Sequence, residues 1–353
     1  MFRTKVLKTL ARARFAPACK TANRQGRFCC TKRIVCAVFV LCAVTSIALP
    51  GQTFTTLFSF NYTDGAYSEA ELVQATNGNL YGTTGGGGAN GNYGTVFKIT
   101  PSGTLTTLYS FCSQSGCTDG SNPYAGVVQA TNGDFYGTTG YGGANCAPTG
   151  CGTIFKMTPS GTLTTLYSFC SQSGCTDGEY PFGALVQATN GNLYGTTYGG
   201  GANGYGTVFQ ITPGGTLTTL YSFCSQSGCT DGDSSLAGLV QDTNGDLYGT
   251  TWEGGANDVG CSQGCGTVFR LSVGLGPFVE TRPTSGKVGK FVEILGSDLT
   301  GATRVTFNGT AAKFTVVSPS LITTTVPTGA TTGKVRVVTP SGTLSSNVPF
   351  RVP

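Results

Sequence analysis

At 353 residues, 39% hydrophobic and 10% charged, the chain is long enough for two or three packed domains and too apolar for a disordered one. Its formal charge of +5 is unevenly spread: residues 1–50 hold 10 Lys/Arg and no Asp/Glu, residues 51–272 hold 3 basic and 13 acidic side chains, and residues 276–353 hold 8 basic and 3 acidic. An acidic central region excludes nucleic acid as the partner of the chain as a whole, and the absence of histidine removes the commonest general base and metal ligand.

Met1–Arg33 is basic, and the 16 residues Ile34–Leu49 are uncharged and apolar, with Ser46 and Ala48 at positions −3 and −1 of a cleavage site. This pattern predicts a secretory signal peptide over residues 1–50 and a secreted or cell-surface protein. The run is short of the roughly 20 residues a spanning helix needs; an uncleaved N-terminal anchor is the alternative, and the chain's one route to a membrane.

From residue 51 to 273 the chain is a tandem array. The stretch Thr104–Gly120 (TLTTLYSFCSQSGCTDG) recurs letter for letter at Thr162–Gly178 and Thr216–Gly232, steps of 58 and 54 residues, and Thr53–Gly65 is a shorter copy without cysteines. Abundant Gly in turn-like clusters, many Thr and Tyr, and no long helix-period segment favour all-β structure. One unit reads as four strands: Leu163–Phe169, Ala184–Ala188, Leu193–Thr197 and Gly206–Thr212. Thr189–Gly191 supplies a hairpin turn, and Pro101, Pro159 and Pro213 open the turns into the next unit's first strand. Four-stranded meanders repeated in tandem predict a β-propeller of four blades. Because the array begins with the strand type that ends each blade and finishes on the three others, Phe54–Phe60 is expected to pair beside Gly266–Ser272 and close the ring; an open solenoid is the alternative.

Ten of the fifteen cysteines fall into five close pairs: Cys112 with Cys117, Cys146 with Cys151, Cys170 with Cys175, Cys224 with Cys229, and Cys261 with Cys265. In an oxidising compartment local disulfides are the economical reading. The rival is paired-cysteine metal binding, which these spacings and the lack of His disfavour; neither a metal nor a cofactor is expected.

Units reading Asn-Gly-Asn-Leu-Tyr-Gly-Thr-Thr, a Gly-rich loop, Gly-Thr-Val-Phe-Lys-Ile-Thr-Pro-Ser-Gly and Thr-Leu-Tyr-Ser-Phe resemble the GloVer tandem repeat of bacterial surface and secreted proteins, a group whose members differ in their C-terminal anchoring signals. The resemblance covers residues 53–272 and implies no particular ligand. From residue 276 to 353 the vocabulary changes to alternating strands such as Lys290–Leu295, Arg304–Asn308 and Lys334–Thr339, which predict a small sandwich. Its motifs, among them Leu295-Gly-Ser-Asp-Leu, Val305-Thr-Phe-Asn-Gly and Val338-Thr-Pro-Ser-Gly-Thr, are similar to the IPT/TIG immunoglobulin-like domain, which implies a spacer or adhesive module.

The candidate ligand contacts are the carboxylates of the repeated Thr-Asp-Gly, Asp64, Asp119, Asp177 and Asp231, together with Tyr198 and Trp252 where the third strand of a unit ends. The aspartates also suit Asx turns behind the cysteine loops, and the aromatics suit packing. The Gly-rich loops at residues 85–88, 140–143 and 199–201 precede no helix, so the physical basis for a phosphate cradle is missing. No catalytic residue is identified: there is no nucleophile elbow and the mature cysteines are paired. The expected function is therefore non-catalytic binding or adhesion, to an extracellular polysaccharide or a surface protein. The alternative is a carbohydrate-active enzyme using the carboxylates Asp246, Glu253 and Asp258.

Overall fold

The computed structural model describes residues 53–257 and 259–353, so the signal peptide expected over residues 1–50 lies outside the described residues. The first sheet comprises β1 (Val73–Gln74), β2 (Leu80–Thr84), β3 (Thr95–Ile99) and β4 (Leu105–Ser110). The second is β5 (Val128–Gln129), β6 (Phe135–Thr139), β7 (Thr153–Met157) and β8 (Leu163–Ser168). The third is β9 (Val186–Gln187), β10 (Leu193–Thr197), β11 (Thr207–Ile211) and β12 (Leu217–Ser222). The fourth has three strands only, β13 (Val240–Gln241), β14 (Leu247–Thr250) and β15 (Val268–Leu271). All pairings within these sheets are antiparallel and in chain order.

Local chemistry explains the strands. The Thr-Asn-Gly turn between β1 and β2 closes with the Gly78 amide donating to the Ala75 carbonyl at 2.9 Å, and Gly78 takes the positive φ that the turn needs. A buried threonine pair, Thr84 and Thr95, joins the ends of β2 and β3 through hydroxyls 2.9 Å apart, and Thr139 with Thr153, Thr197 with Thr207, and Thr251 with Thr267 repeat it. Gly82 in β2 faces Phe97 in β3; a Cβ there would stand 2.7 Å from the ring, so the Leu-Tyr-Gly-Thr-Thr glycine makes room for the aromatic of the next strand.

Each sheet finds its core only by packing on the next. Tyr81, Val96 and Phe111 of the first unit cluster with Phe135, Phe155 and Met157 of the second; Tyr136, Ile154 and Phe169 with Leu193, Phe209 and Ile211; and Tyr194, Val208 and Phe223 with Leu247. An edge-to-face aromatic pair recurs at each junction, Phe111 on Phe155 at 5.3 Å, Phe169 on Phe209 at 5.3 Å and Phe223 on Phe269 at 5.2 Å. The hairpin turn of each sheet is tied to the next by a glutamine: the Gln129 side-chain oxygen accepts from the Thr76 amide at 2.9 Å, Gln187 from Thr131 at 2.8 Å and Gln241 from Thr189 at 3.1 Å.

The closed ring expected from the strand count is not found. Thr55–Phe60 forms no strand and does not meet β15. It lies instead against the first sheet, with the Phe60 ring 5.3 Å from Phe97, as Phe111 sits on Phe155. A Cβ on Gly103 would stand 2.8 Å from the Leu57 carbonyl oxygen, much as Gly161 meets that of Leu108 at 2.9 Å and Gly215 that of Leu166 at 3.0 Å. The segment thus occupies the place of the last strand of a sheet that would precede the first. Among the described residues no apolar cluster joins the fourth sheet to the first. Strand order within a blade is written in the sequence, but the rotation between successive sheets, which decides how many sheets close a ring, is not.

The C-terminal segment is a sandwich of two four-stranded sheets. Its strands are β16 (Val279–Arg282), β17 (Phe291–Gly296), β18 (Arg304–Phe307), β19 (Thr310–Ala312), β20 (Phe314–Ser318), β21 (Leu321–Thr325), β22 (Val335–Thr339) and β23 (Gly342–Ser345). One sheet runs β16-β17-β21-β20 and the other β19-β18-β22-β23, around one core that includes Val292, Ile294, Phe307, Val335 and Phe350. It meets the array at the last hairpin turn, where the Phe278 amide donates to the Thr243 carbonyl at 2.9 Å and the Thr243 and Ser297 hydroxyls lie 3.0 Å apart. At that corner the sandwich engages the Thr243 carbonyl and hydroxyl.

Candidate functional site

The repeated aspartates turn inward. Asp119 Oδ2 accepts from the Tyr109 hydroxyl at 2.7 Å, the Ser113 amide at 2.9 Å and the Ser113 hydroxyl at 3.0 Å, while Oδ1 accepts from the Gln114 amide at 3.2 Å. Asp177 repeats the set with Tyr167, Ser171 and Gln172, and Asp231 with Tyr221, Ser225 and Gln226. Each carboxylate clamps the start of a cysteine loop. Burial, opposed by the Ser113 and Ser171 hydroxyls and aided by the bonded carboxylates, pushes Tyr109 and Tyr167 up to about 12. Burial alone would raise Asp231, but the Tyr221 hydroxyl and the Ser225 and Gln226 amides outweigh it and hold its carboxyl below the ordinary range. Asp64, in the copy without cysteines, differs: among the described residues its Oδ1 accepts only from the Asn61 amide, at 2.9 Å.

All five cysteine pairs are bridged. The Cys146–Cys151 and Cys170–Cys175 bridges, from neighbouring units, stand side by side, with their sulfurs and a Glu179 oxygen all within 4.8 Å of one another. As disulfide sulfurs they have no proton to donate, so the 3.4 Å approach of Glu179 Oε2 to Cys151 Sγ gives the carboxylate no hydrogen bond. Burial accordingly raises the Glu179 carboxyl above its ordinary value.

Beside this pair of bridges the loops of the second and third sheets bring five aromatics together. After Thr-Asp-Gly the chain pairs back on the loop beyond the second strand of the second and third sheets, through the bridges Ser121 with Tyr141 and Glu179 with Gly199. The following residues, Asn122 and Tyr180, take positive φ and turn the chain outward into Pro123-Tyr124 and Pro181-Phe182. Phe182 becomes a hub, with ring centroids 5.7 Å from Tyr124, 5.9 Å from Tyr141, 6.2 Å from Tyr180 and 5.9 Å from Tyr198. Tyr141 also lies 5.6 Å from Tyr180 and 6.3 Å from Tyr124. Tyr124 and Tyr198 are exposed and the other three are half-buried, so the cluster is open to solvent in part. Tyr198, singled out from sequence, belongs to it; Tyr124, Tyr180 and Phe182 escaped notice, although an aromatic four residues beyond both Gly120 and Gly178 was the available signal for Tyr124 and Phe182.

Trp252 holds the position of Tyr198 on the fourth sheet but stands alone, 64% exposed, because Leu236 replaces Phe182 there. Nearby, a cleft of about 450 Å³ is lined by Tyr205, Asp233, Ser262 and Gln263. Among the described residues Asp233 Oδ1 is buried without a hydrogen-bond partner, and burial, opposed by the Ser234 hydroxyl and aided by the charge of Asp231, raises its carboxyl. Backbone pairing sets Asp233 opposite Glu253, while Asp246 lies elsewhere, 3.8 Å from Arg270, and Asp258 falls outside the described residues.

The succession of three near-identical sheets, each with its Asp-clamped loop, agrees with the comparison of the chain with protein families. The model described as the Gloeobacter/Verrucomicrobia repeat matches residues 39–269 and, in a second placement, residues 149–313. The chain belongs to the Gloeobacter/Verrucomicrobia repeat family. Its C-terminal sandwich matches the IPT/TIG domain over residues 279–352, a range that contains β16 to β23. No curated protein matches the chain. Among solved structures it is similar to sucrose-6-phosphate hydrolase from Lactobacillus gasseri, at 13% identity and a TM-score of 0.34 over 82% of this chain and 74% of that one. A Bombyx mori beta-fructofuranosidase in complex with sucrose gives 12% and 0.33 over 80% and 74%, and a fungal alcohol oxidase in complex with copper gives the same values. Likeness this slight carries no argument about what a Gloeobacter/Verrucomicrobia repeat protein does. Within the repeat, the copied positions build the clamp and the core, and the positions that vary, such as Gly140, Tyr198 and Trp252, fall at the outward loops.

Proposed function

We propose that this surface or structural repeat protein acts outside the cell as a non-catalytic binding or adhesion protein. In this reading the aromatic cluster is its contact surface for a polysaccharide, and the TIG domain is a spacer or anchor. The observation that carries the reading is the convergence of Tyr124, Tyr141, Tyr180, Phe182 and Tyr198 on one exposed patch at positions where the repeats differ. Exposed aromatic faces edged by hydroxyls suit the apolar faces and hydroxyl rims of sugar rings. Two features support the rest. The three aspartates of the cysteine-bearing repeats are saturated by donors from their own loops, and five local disulfides suit an oxidising compartment.

A second reading, hydrolysis or lysis of a polysaccharide, draws on Asp233, which lines the cleft and whose Oδ1 is buried without a hydrogen-bond partner among the described residues. A glycan array followed by mass analysis of any bound glycan separates the two. Binding without new products, lost in a Tyr141→Ala, Tyr198→Ala variant and kept in Asp233→Asn, is expected. Cleavage abolished by Asp233→Asn would replace the first reading with the second, and binding indifferent to the two tyrosines would remove the patch.

A further inference from the structure

The two ends of the stack are complementary by construction. In the first three sheets the fourth strand, Leu-Thr-Thr-Leu-Tyr-Ser, pairs with Thr-Val-Phe or its variant; among the described residues β15 pairs with β14 alone and its outer edge is open. The consequence shows at Val268, which is 80% exposed, while its counterparts Val96, Ile154 and Val208 are buried. Beside that edge lies a groove of about 340 Å³ lined by Tyr221, Phe223, Asp231, Val268, Phe269 and Leu271, the space that a fourth strand would fill.

At the other end the chain carries that strand without a sheet to join. Phe54–Phe60 (FTTLFSF) matches Leu105–Phe111 (LTTLYSF) at Thr55, Thr56, Leu57, Ser59 and Phe60, and differs only by aromatic or apolar exchange at Phe54 and Phe58. Phe54 is 95% exposed and Leu57 is also exposed. Its inner side is already seated on the first sheet through Phe60 and Phe97, so the segment is laid out as the outermost strand of a sheet that its own chain does not supply.

We propose that Phe54–Phe60 of one copy of this chain adds as the missing fourth strand to β15 of a second copy, joining copies head to tail. The register follows from the pairing of β3 with β4: Ser59 opposite Thr267, Phe58 opposite Val268, Thr56 opposite Phe269, Thr55 opposite Arg270 and Phe54 opposite Leu271, with the bulge between Val268 and Phe269. Phe54, the counterpart of Leu163, then enters the groove beside Tyr221, as Leu163 enters the cluster that holds Leu108 and Tyr109. Strand addition at an open edge gives main-chain hydrogen bonds for affinity and side-chain pockets for specificity. The contact is heterologous, so copies form linear chains, or rings where the rotation closes. It also covers both edges that would otherwise template indiscriminate pairing.

Sedimentation of the full chain, and of two full-length variants, tests this. One variant lacks residues 54–60, and so has no donor; the other carries Val268→Asp, which puts a charge into the acceptor groove. The wild type is expected to grow in mass with concentration well beyond a dimer, and each variant alone to remain monomeric. An equimolar mixture of the two should form a heterodimer and nothing larger, since each supplies one working end. A wild type that stays monomeric, a mixture that stays monomeric, or a mixture that grows past the dimer overturns the proposal. Should either variant fail to fold, a peptide of residues 53–60 in excess reports in its place. Reduction of wild-type assemblies to monomers by this peptide and not by a scrambled one is the expected result, and assemblies indifferent to both contradict it.

Discussion

The strands β11 and β15 are nearly the same sequence, Thr-Val-Phe-Gln-Ile and Thr-Val-Phe-Arg-Leu from residue 207 and residue 267, yet their surroundings are opposite. Val208, against the fourth sheet, and Phe209, against Phe169 of the second, are 1% and 0% exposed with β12 alongside, whereas Val268 is 80% exposed and Phe269, which has Phe223 of the third sheet but no fourth strand beside it, is only half-buried. Burial in this array is therefore conferred by the neighbouring unit rather than by the residue. That is the behaviour of a quasi-one-dimensional protein, in which each unit's stability is an intrinsic part plus an interface part.

Paired substitutions sharpen the contrast. The largest effect is expected for Phe209→Ala, about 3–5 kcal/mol in urea unfolding, as for a fully buried aromatic; Phe269→Ala should cost less than half as much. Equal losses would mean that the fourth sheet is as enclosed as the third. Next comes Asp177→Ala, which strips the acceptor from the Tyr167 hydroxyl and the Ser171 and Gln172 amides and should cost about 2–3 kcal/mol. Asp231→Ala, at the more exposed end, should cost less. Because Asp231 has a lowered folded pKa, its stabilisation is present above the ordinary carboxylate range and is lost as pH falls through the lowered value. Acid unfolding curves of wild type and Asp231→Asn should accordingly converge toward low pH and diverge above it.

Smaller again, replacing Cys170 and Cys175 by Ser should cost about 2 kcal/mol by the chain-entropy estimate for so short a loop. A loss large enough to unfold the third sheet would show that the bridges carry the fold. The smallest effect is expected at Glu179, and it has the opposite sign. With its pKa raised by burial and no hydrogen bond to its carboxylate, the ionised side chain opposes folding at neutral pH, and this penalty vanishes once pH falls below the unfolded value. Glu179→Gln should raise the melting temperature at pH 7 and leave it unchanged near pH 3; a drop at pH 7 would point to a partner for the carboxylate.

Much of this architecture was legible in the sequence because the repeat displays its own grammar. Three letter-perfect copies of Thr104–Gly120 fix strand type, strand order and the cysteine pairing, and the change of vocabulary after residue 276 marks the sandwich. Ring closure was not legible, since it depends on a rotation between sheets that no single unit encodes. The aromatic patch was half legible. Tyr198 stood out as a departure from the copied pattern, but its partner Phe182 arrives from the preceding loop, and only the left-handed backbone at Tyr180 turns it toward Tyr198. The inward turn of Asp119 and Asp177 follows from donors on residues 5 to 10 positions earlier, a range at which sequence alone does not choose between an Asx turn and an exposed carboxylate.

The open fourth sheet is tested most directly by amide hydrogen exchange at β11 and β15, read in the same molecule at high dilution. With one strand on each side of β11 and only β14 beside β15, the amides of residues 268–271 should exchange orders of magnitude faster than those of residues 208–211. Protection of β15 equal to that of β11 at every dilution would mean that the molecule closes its own ring, and would contradict the open stack.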